Sequence, residues 1–202
     1  MHLTRHILVA VLLAVPALLR AQERTGIGVE WGMGYMPAHR ISESFRSDAG
    51  YRIDREGWNG SQHINGFVSL AFEYDISRHQ TLSLTAGKRG VGNGDRIYPV
   101  GLRYARYHRS HAADTGWFFA EAGVGYNRDA RVHLATQGLL GYGWRYRLGA
   151  HSCVDGGLRL AAVWYRPDII DPDTEMPVPE RFIYDNQRLD TFLEVFIAIR
   201  LR

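Results

Sequence analysis

The feature that most constrains this chain is a strict alternation of large apolar residues with small or polar ones, sustained through segment after segment. Over residues 25–36, Ile27, Val29, Trp31, Met33 and Tyr35 share one face, while Gly26, Gly28, Glu30, Gly32 and Gly34 share the other. A period of two belongs to a β-strand, whose successive side chains point to opposite faces. A soluble sandwich turns its large residues inward and places charge on the second face. Here the second face is glycine with one carboxylate, which suits the inside of a narrow barrel whose apolar face meets lipid.

The pattern recurs at 64–76, 81–88, 98–107, 117–127, 133–147, 152–164 and 188–201. Each segment is close to the length that a tilted strand needs to cross a bilayer. The predicted fold is therefore all-β: an antiparallel up-and-down transmembrane β-barrel of about eight strands. Pro99 is expected at a strand end, because it cannot donate to a ladder. The connections at 77–80 and 148–151 are short, 108–116 is of moderate length, and 37–63 and 165–187 are long and polar. With both termini in the periplasm, the long connections fall outside and the short ones inside, the asymmetry of bacterial barrels.

Composition agrees. There are 22 glycines, and aromatic residues reach 12%, with 11 Tyr and 5 Trp suited to the two edges of a bilayer. The net charge of +3 is scattered, with no basic run of the kind that binds nucleic acid. A lone Cys153 excludes an internal disulfide framework and reads as a small strand residue. At the N-terminus, Arg5 and His6 precede an apolar run from Ile7 to Leu19, and Ala21 offers a small residue before Gln22. That layout predicts a signal peptide over 1–21 and a barrel domain over 22–202.

Alternation directs charges of both signs inward: Glu30, Glu73, Asp75, Glu121, Asp155 and Glu194 with Arg103, Arg145, Arg147, Arg159 and Arg200. Eight strands leave only enough width for side chains to fill the interior. The expectation is a plugged, salt-bridged interior rather than a conduit, since lone buried charges are costly.

The layout of residues 24–202, and segments such as Gly116-Trp117-Phe118-Phe119-Ala120-Glu121-Ala122-Gly123-Val124-Gly125-Tyr126, resemble small outer-membrane β-barrels. These include the OmpX-like and OmpA-barrel-like families and the outer-membrane β-barrel proteins of Bacteroidetes-type bacteria. The resemblance implies residence in the bacterial outer membrane, a monomer, outer-membrane lipid as neighbour and no cofactor. Many such barrels end in an aromatic residue, whereas this chain ends Ile199-Arg200-Leu201-Arg202.

Several motifs carry candidate chemistry. His108 and Ser110, with Glu121 downstream, are similar to the His-x-Ser and later Glu of PagL-type lipid A deacylases; in such a set a His takes the Ser proton and a carboxylate orients the His. Against this stands a polar periplasmic turn with Glu121 pointing inward. Asp168, Asp171, Asp173 and Glu175 could gather oxygen ligands for Ca²⁺, although their spacing departs from the EF-hand and Pro172 and Pro177 stiffen the segment. Gly90-Val91-Gly92-Asn93-Gly94 reads as a hairpin tip, because no helix follows to hold a phosphate. His39 and His63 flank the first long connection without metal-ligand spacing. The reading favoured is a non-enzymatic barrel that meets a partner through 37–63, where Arg40, Arg46, Arg52 and Arg55 mix with Phe45, Tyr51 and Trp58, and 165–187, where the acids named above accompany Phe182 and Tyr184. A lipid A-modifying esterase is the alternative.

Overall fold

The computed structural model describes residues 24–92, 95–127 and 133–202. The predicted signal peptide lies outside them. Eight antiparallel strands follow one another: β1 Thr25–Arg46, β2 Arg52–Ser77, β3 Gln80–Val91, β4 Asp95–Tyr107, β5 Thr115–Asn127, β6 Leu134–Arg147, β7 Ser152–Tyr165 and β8 Ile183–Leu201. Each pairs with the next, and β8 returns to β1, so the sheet closes. Closure pairs the strands all the way round, so the wall presents no open edge at membrane depth.

The alternation sorts inside from outside. Ile27, Met33, Leu70, Leu84, Leu102, Val124, Leu140, Leu160 and Val195 are exposed on the outer wall. Exposed Tyr35, Tyr98, Tyr126 and Trp164 ring the end that carries the β1–β2 turn, and exposed Tyr74, Tyr104, Tyr142 and Trp144 ring the other. An apolar belt between two aromatic girdles is what a bilayer requires of a barrel wall.

Two segments depart from the expected layout. Residues 37–63 are not a loop: β1 and β2 continue as a ladder from Ala38↔Gly60 to Arg46↔Arg52, and β8 lines the other side of β1 from Ala38↔Thr191 to Phe45↔Ile183. This three-stranded lobe projects beyond the belt. It escapes a reading by alternation because its few apolar residues, Ile41, Phe45, Ile53 and Trp58, stand among polar ones without a sustained period of two. Pro37 lies where the register shifts, between Met36 and Ala38, so its missing N–H falls at a bulge. Residues 165–187 are likewise shorter as a connection, since β8 begins at Ile183 and a 3-10 turn fills Glu180–Phe182.

Smaller corrections concern β3 and β4. Gly90 and Val91 belong to β3 rather than to a tip, and Val91 is buried; the turn begins at Gly92, with a φ of 49°. Asn93 and Gly94 lie outside the described residues. Pro99 stands within β4, not at its end, and the β3–β4 ladder is interrupted beside it, between Ala86↔Val100 and Arg89↔Ile97. The wall thus accommodates the proline by giving up ladder bonds on one side, while Pro99 keeps its pairing with Gly125 on the other.

Candidate functional site

The interior is built in layers. Nearest the lobe, Met36, Val91, Ile97, Leu139, Val163, Tyr165 and Phe192 form an apolar plug. Beneath it lies a charged layer. Arg103 donates from Nη1 and Nη2 to Glu30, at 2.6 and 3.0 Å, and from Nε to Glu121 at 2.8 Å. Gln137 donates to the other Glu121 oxygen at 3.0 Å. Arg159 joins Glu30 to Glu194, and Arg89 pairs with Glu194.

An aromatic layer follows, with Trp117 packed against Tyr107, Phe119 and Phe196. Guanidinium groups cap it: Arg103 lies 4.7 Å from the Phe119 ring centre and Arg145 lies 4.7 Å from that of Tyr107. Gly141 and Gly143 make this layer possible. A Cβ at Gly141 would stand 2.4 Å from Phe119, and one at Gly143 would stand 2.8 Å from Trp117.

A second charged layer closes the end at which the two termini and the 108–114 and 148–151 turns lie. Arg145 grips Asp155 through Nε and Nη2 at 2.7 and 2.8 Å. Arg200 bridges Asp155 and Glu73, and Arg202 bridges Glu73, at 3.1 Å, and Asp75, at 2.5 Å. His111 reaches down from the 108–114 turn to Asp75 at 3.1 Å. Burial and the neighbouring Arg202 charge lower the basicity of its imidazole. Across both layers Arg89, Arg103, Arg145, Arg159, Arg200 and Arg202 face Glu30, Glu73, Asp75, Glu121, Asp155 and Glu194, six of each. Equal numbers leave no charge in excess among these twelve described side chains, of which Arg202 is the one partly exposed.

Sequence reasoning missed Arg89 and Arg202, which lie one residue beyond the strand ends it drew. It also assigned Arg147 to the interior. Arg147 is exposed, and its guanidinium donates to Gly149 and Ala150 carbonyls of the 148–151 turn.

The structure does not assemble the deacylase-like set. His108 sits outside the wall against Phe118 and Tyr142, with ring centres 5.1 and 5.9 Å away. Ser110 Oγ accepts the Ala112 N–H at 3.2 Å as a turn cap. Glu121 is inside, held by Arg103 and Gln137. The wall separates the His from the carboxylate that would orient it.

The acidic segment has a structural task. Asp171 accepts the N–H groups of Asp48 and Asp173, both at 2.8 Å, and these bonds hold its carboxyl below the ordinary carboxylate range. Asp173 accepts the hydroxyls of Ser47 and Tyr51, at 2.8 and 2.7 Å, and the latter bond pushes the Tyr51 phenol up. Glu175 occupies a left-handed position with φ 55°, and its N–H closes the turn on the Asp171 carbonyl. Asp168 is exposed. Among the described residues no group of three His, Cys, Asp or Glu side chains could hold a metal ion. Phe45, Ile169 and Val178 form a small core beneath these bonds, so segment 166–182 is docked on the β1–β2 turn. Asp171→Ala removes the acceptor of both N–H groups. Trypsin should then cut the folded protein after Arg181 about tenfold faster, with the barrel's own unfolding unchanged.

A closed eight-stranded wall, apolar outside and charged within, defines a transmembrane β-barrel, a design made for the bacterial outer membrane. No protein-family model matches this sequence, and no curated protein matches it. Solved structures resemble this chain. The chain is similar to the outer membrane protein OprG from Pseudomonas aeruginosa, with 9% identity and a TM-score of 0.55 over 89% of this chain and 96% of that one. It is also similar to Neisserial surface protein A (NspA), with 11% identity and a TM-score of 0.47 over 88% and 96% of the two chains. At such identity the OprG likeness speaks to the fold alone.

Proposed function

We propose that this chain is an integral, monomeric outer-membrane barrel that conducts nothing and works through its external lobe. The supporting observation is the contrast between its two ends of polarity. The interior spends its charges on one another, whereas the lobe leaves Arg55, Glu56, Trp58 and Tyr184 exposed above the belt. A rigid wall beneath a projecting polar sheet is a platform for recognition, and an Arg beside an exposed Trp is a common anchor.

Two experiments test this reading. Refolded protein in a planar bilayer should show no ion-conducting steps; regular steps would replace the platform with a pore. A photo-crosslinking amino acid at Trp58, in living cells, should capture a protein or glycan partner, while the same probe at Val100 in the belt should capture lipid only. Adducts from Val100 and none from the lobe would move recognition to the wall.

A further inference from the structure

The outer wall carries a cationic groove that the lobe does not explain. It lies at the level of the Tyr98 girdle, has a volume of about 460 Å³, and runs across β2, β3 and β4. Gly66 and Gly90 keep it hollow, with Val68 below, and Lys88 and Arg96 stand beside it. Lys88 and Arg96 share the outward, exposed parity of Leu84, Leu102 and Tyr98. Neither makes an ion pair with a described residue. Asp95, the one carboxylate in the lining, has the inward parity of Ile97 and acts on Tyr165 and Arg188 inside the mouth.

Cations at this height face the headgroup layer, while Val68, Val100 and Tyr98 continue as an apolar track into the bilayer. Water alone could solvate the two charges on a soluble surface. At a lipid boundary the chemistry that matches both halves is a phosphate carried on acyl chains. We propose that Lys88 and Arg96 hold a phosphate of an outer-leaflet glycolipid whose acyl chains lie along Val68 and Val100. This rests on the outer-membrane reading and on the termini being periplasmic.

The test uses full-length refolded barrel in detergent micelles, with bis-phosphorylated lipid A as probe and native mass spectrometry as readout. The phosphorylated lipid should form a one-to-one adduct, and the same lipid after phosphatase treatment should not. Lys88→Gln with Arg96→Gln should weaken the adduct about twenty-five-fold, taking roughly a factor of five for each lost cation near a lipid surface. Arg106→Gln, which removes an exposed outward cation at the periplasmic rim, should leave it unchanged. Equal binding by the double variant, equal binding of dephosphorylated lipid, or an equal loss in Arg106→Gln would each overturn the proposal. So would full displacement by millimolar inorganic phosphate, which would make this a site for free anions. Should the double variant misfold, Lys88→Arg with Arg96→Lys keeps both charges and must retain the adduct. Membrane fractionation reads the underlying assumption separately: a soluble protein defeats the outer-membrane reading whatever the lipid result.

Discussion

Glu30→Leu should destabilise the barrel by about 3–5 kcal/mol, or prevent it from folding, although the new side chain is apolar and of similar size. Glu30 is buried at the centre of the upper charged layer, where Arg103 grips both its oxygens and Arg159 binds it as well. A third guanidinium, that of Arg200, lies 3.6 Å away. Each guanidinium keeps another carboxylate, Arg103 on Glu121, Arg159 on Glu194 and Arg200 on Glu73 and Asp155, but without Glu30 the layer holds one cation in excess where water cannot replace the lost charge. The cost is therefore not the net worth of one ion pair, which is small; it is the penalty of leaving its partners uncompensated. Urea unfolding of the refolded protein, followed by gel mobility without boiling, measures it. Glu30→Leu with Arg103→Met should recover part of the loss, because it restores equal numbers of cations and carboxylates in the interior. Arg159 and Arg200 then still lean on Glu194, Glu73 and Asp155. A single variant as stable as the parent would mean that the interior is wetter than its packing implies.

Trp117→Ala should cost a comparable 3–5 kcal/mol by a different route. Trp117 is among the largest fully buried side chains, and it separates the two charged layers. Its ring centre lies 4.9 Å from that of Phe119 and 5.7 Å from that of Tyr107, and Arg200 sits 5.5 Å above it. Alanine would leave a void lined by rings and a guanidinium, with no β-strand able to collapse into it because the wall is closed. Gly143→Leu should also destabilise the parent, since its Cβ meets Trp117 at 2.8 Å. In the Trp117→Ala background the same leucine should stabilise, because it fills the space the indole vacated. Opposite signs in the two backgrounds, read from urea midpoints, would show that Gly143 is small for the sake of Trp117. Additive losses would contradict it.

What could be read in the sequence follows from one rule of geometry. Period-two alternation marks the faces of a strand wherever one face meets lipid, so Leu102 and Glu121 could be assigned outward and inward without a structure. The rule fails where neither face is apolar. Residues 38–46 and 52–60 hold only scattered apolar side chains, Ile41, Phe45, Ile53 and Trp58, with no sustained period of two, and only their pairing reveals a ladder. It also fails at strand ends, where a single residue decides: Arg89, next to the outward Lys88, turns into the interior, as does Arg202 next to the outward Leu201. Acids in a loop look alike in a sequence, and nothing in it tells that Asp171 is buried and accepts two N–H groups while Asp168 is exposed. Which partners an inward Arg selects is set by register across strands: Arg103 stands opposite Glu121 on β5 and reaches Glu30 across the barrel.

The most direct test of the whole account is chemical labelling of intact cells with a membrane-impermeant maleimide, in a Cys153→Ser background. Arg55→Cys, on the projecting lobe, should label within minutes. Leu102→Cys, in the belt, should stay unlabelled until the protein is unfolded, and Ala150→Cys, in the short turn, should label only after the outer membrane is breached. That pattern requires a membrane-spanning wall, an external lobe and periplasmic short turns together. Equal labelling of Leu102→Cys and Arg55→Cys on intact cells would contradict it, as would labelling of Ala150→Cys before Arg55→Cys.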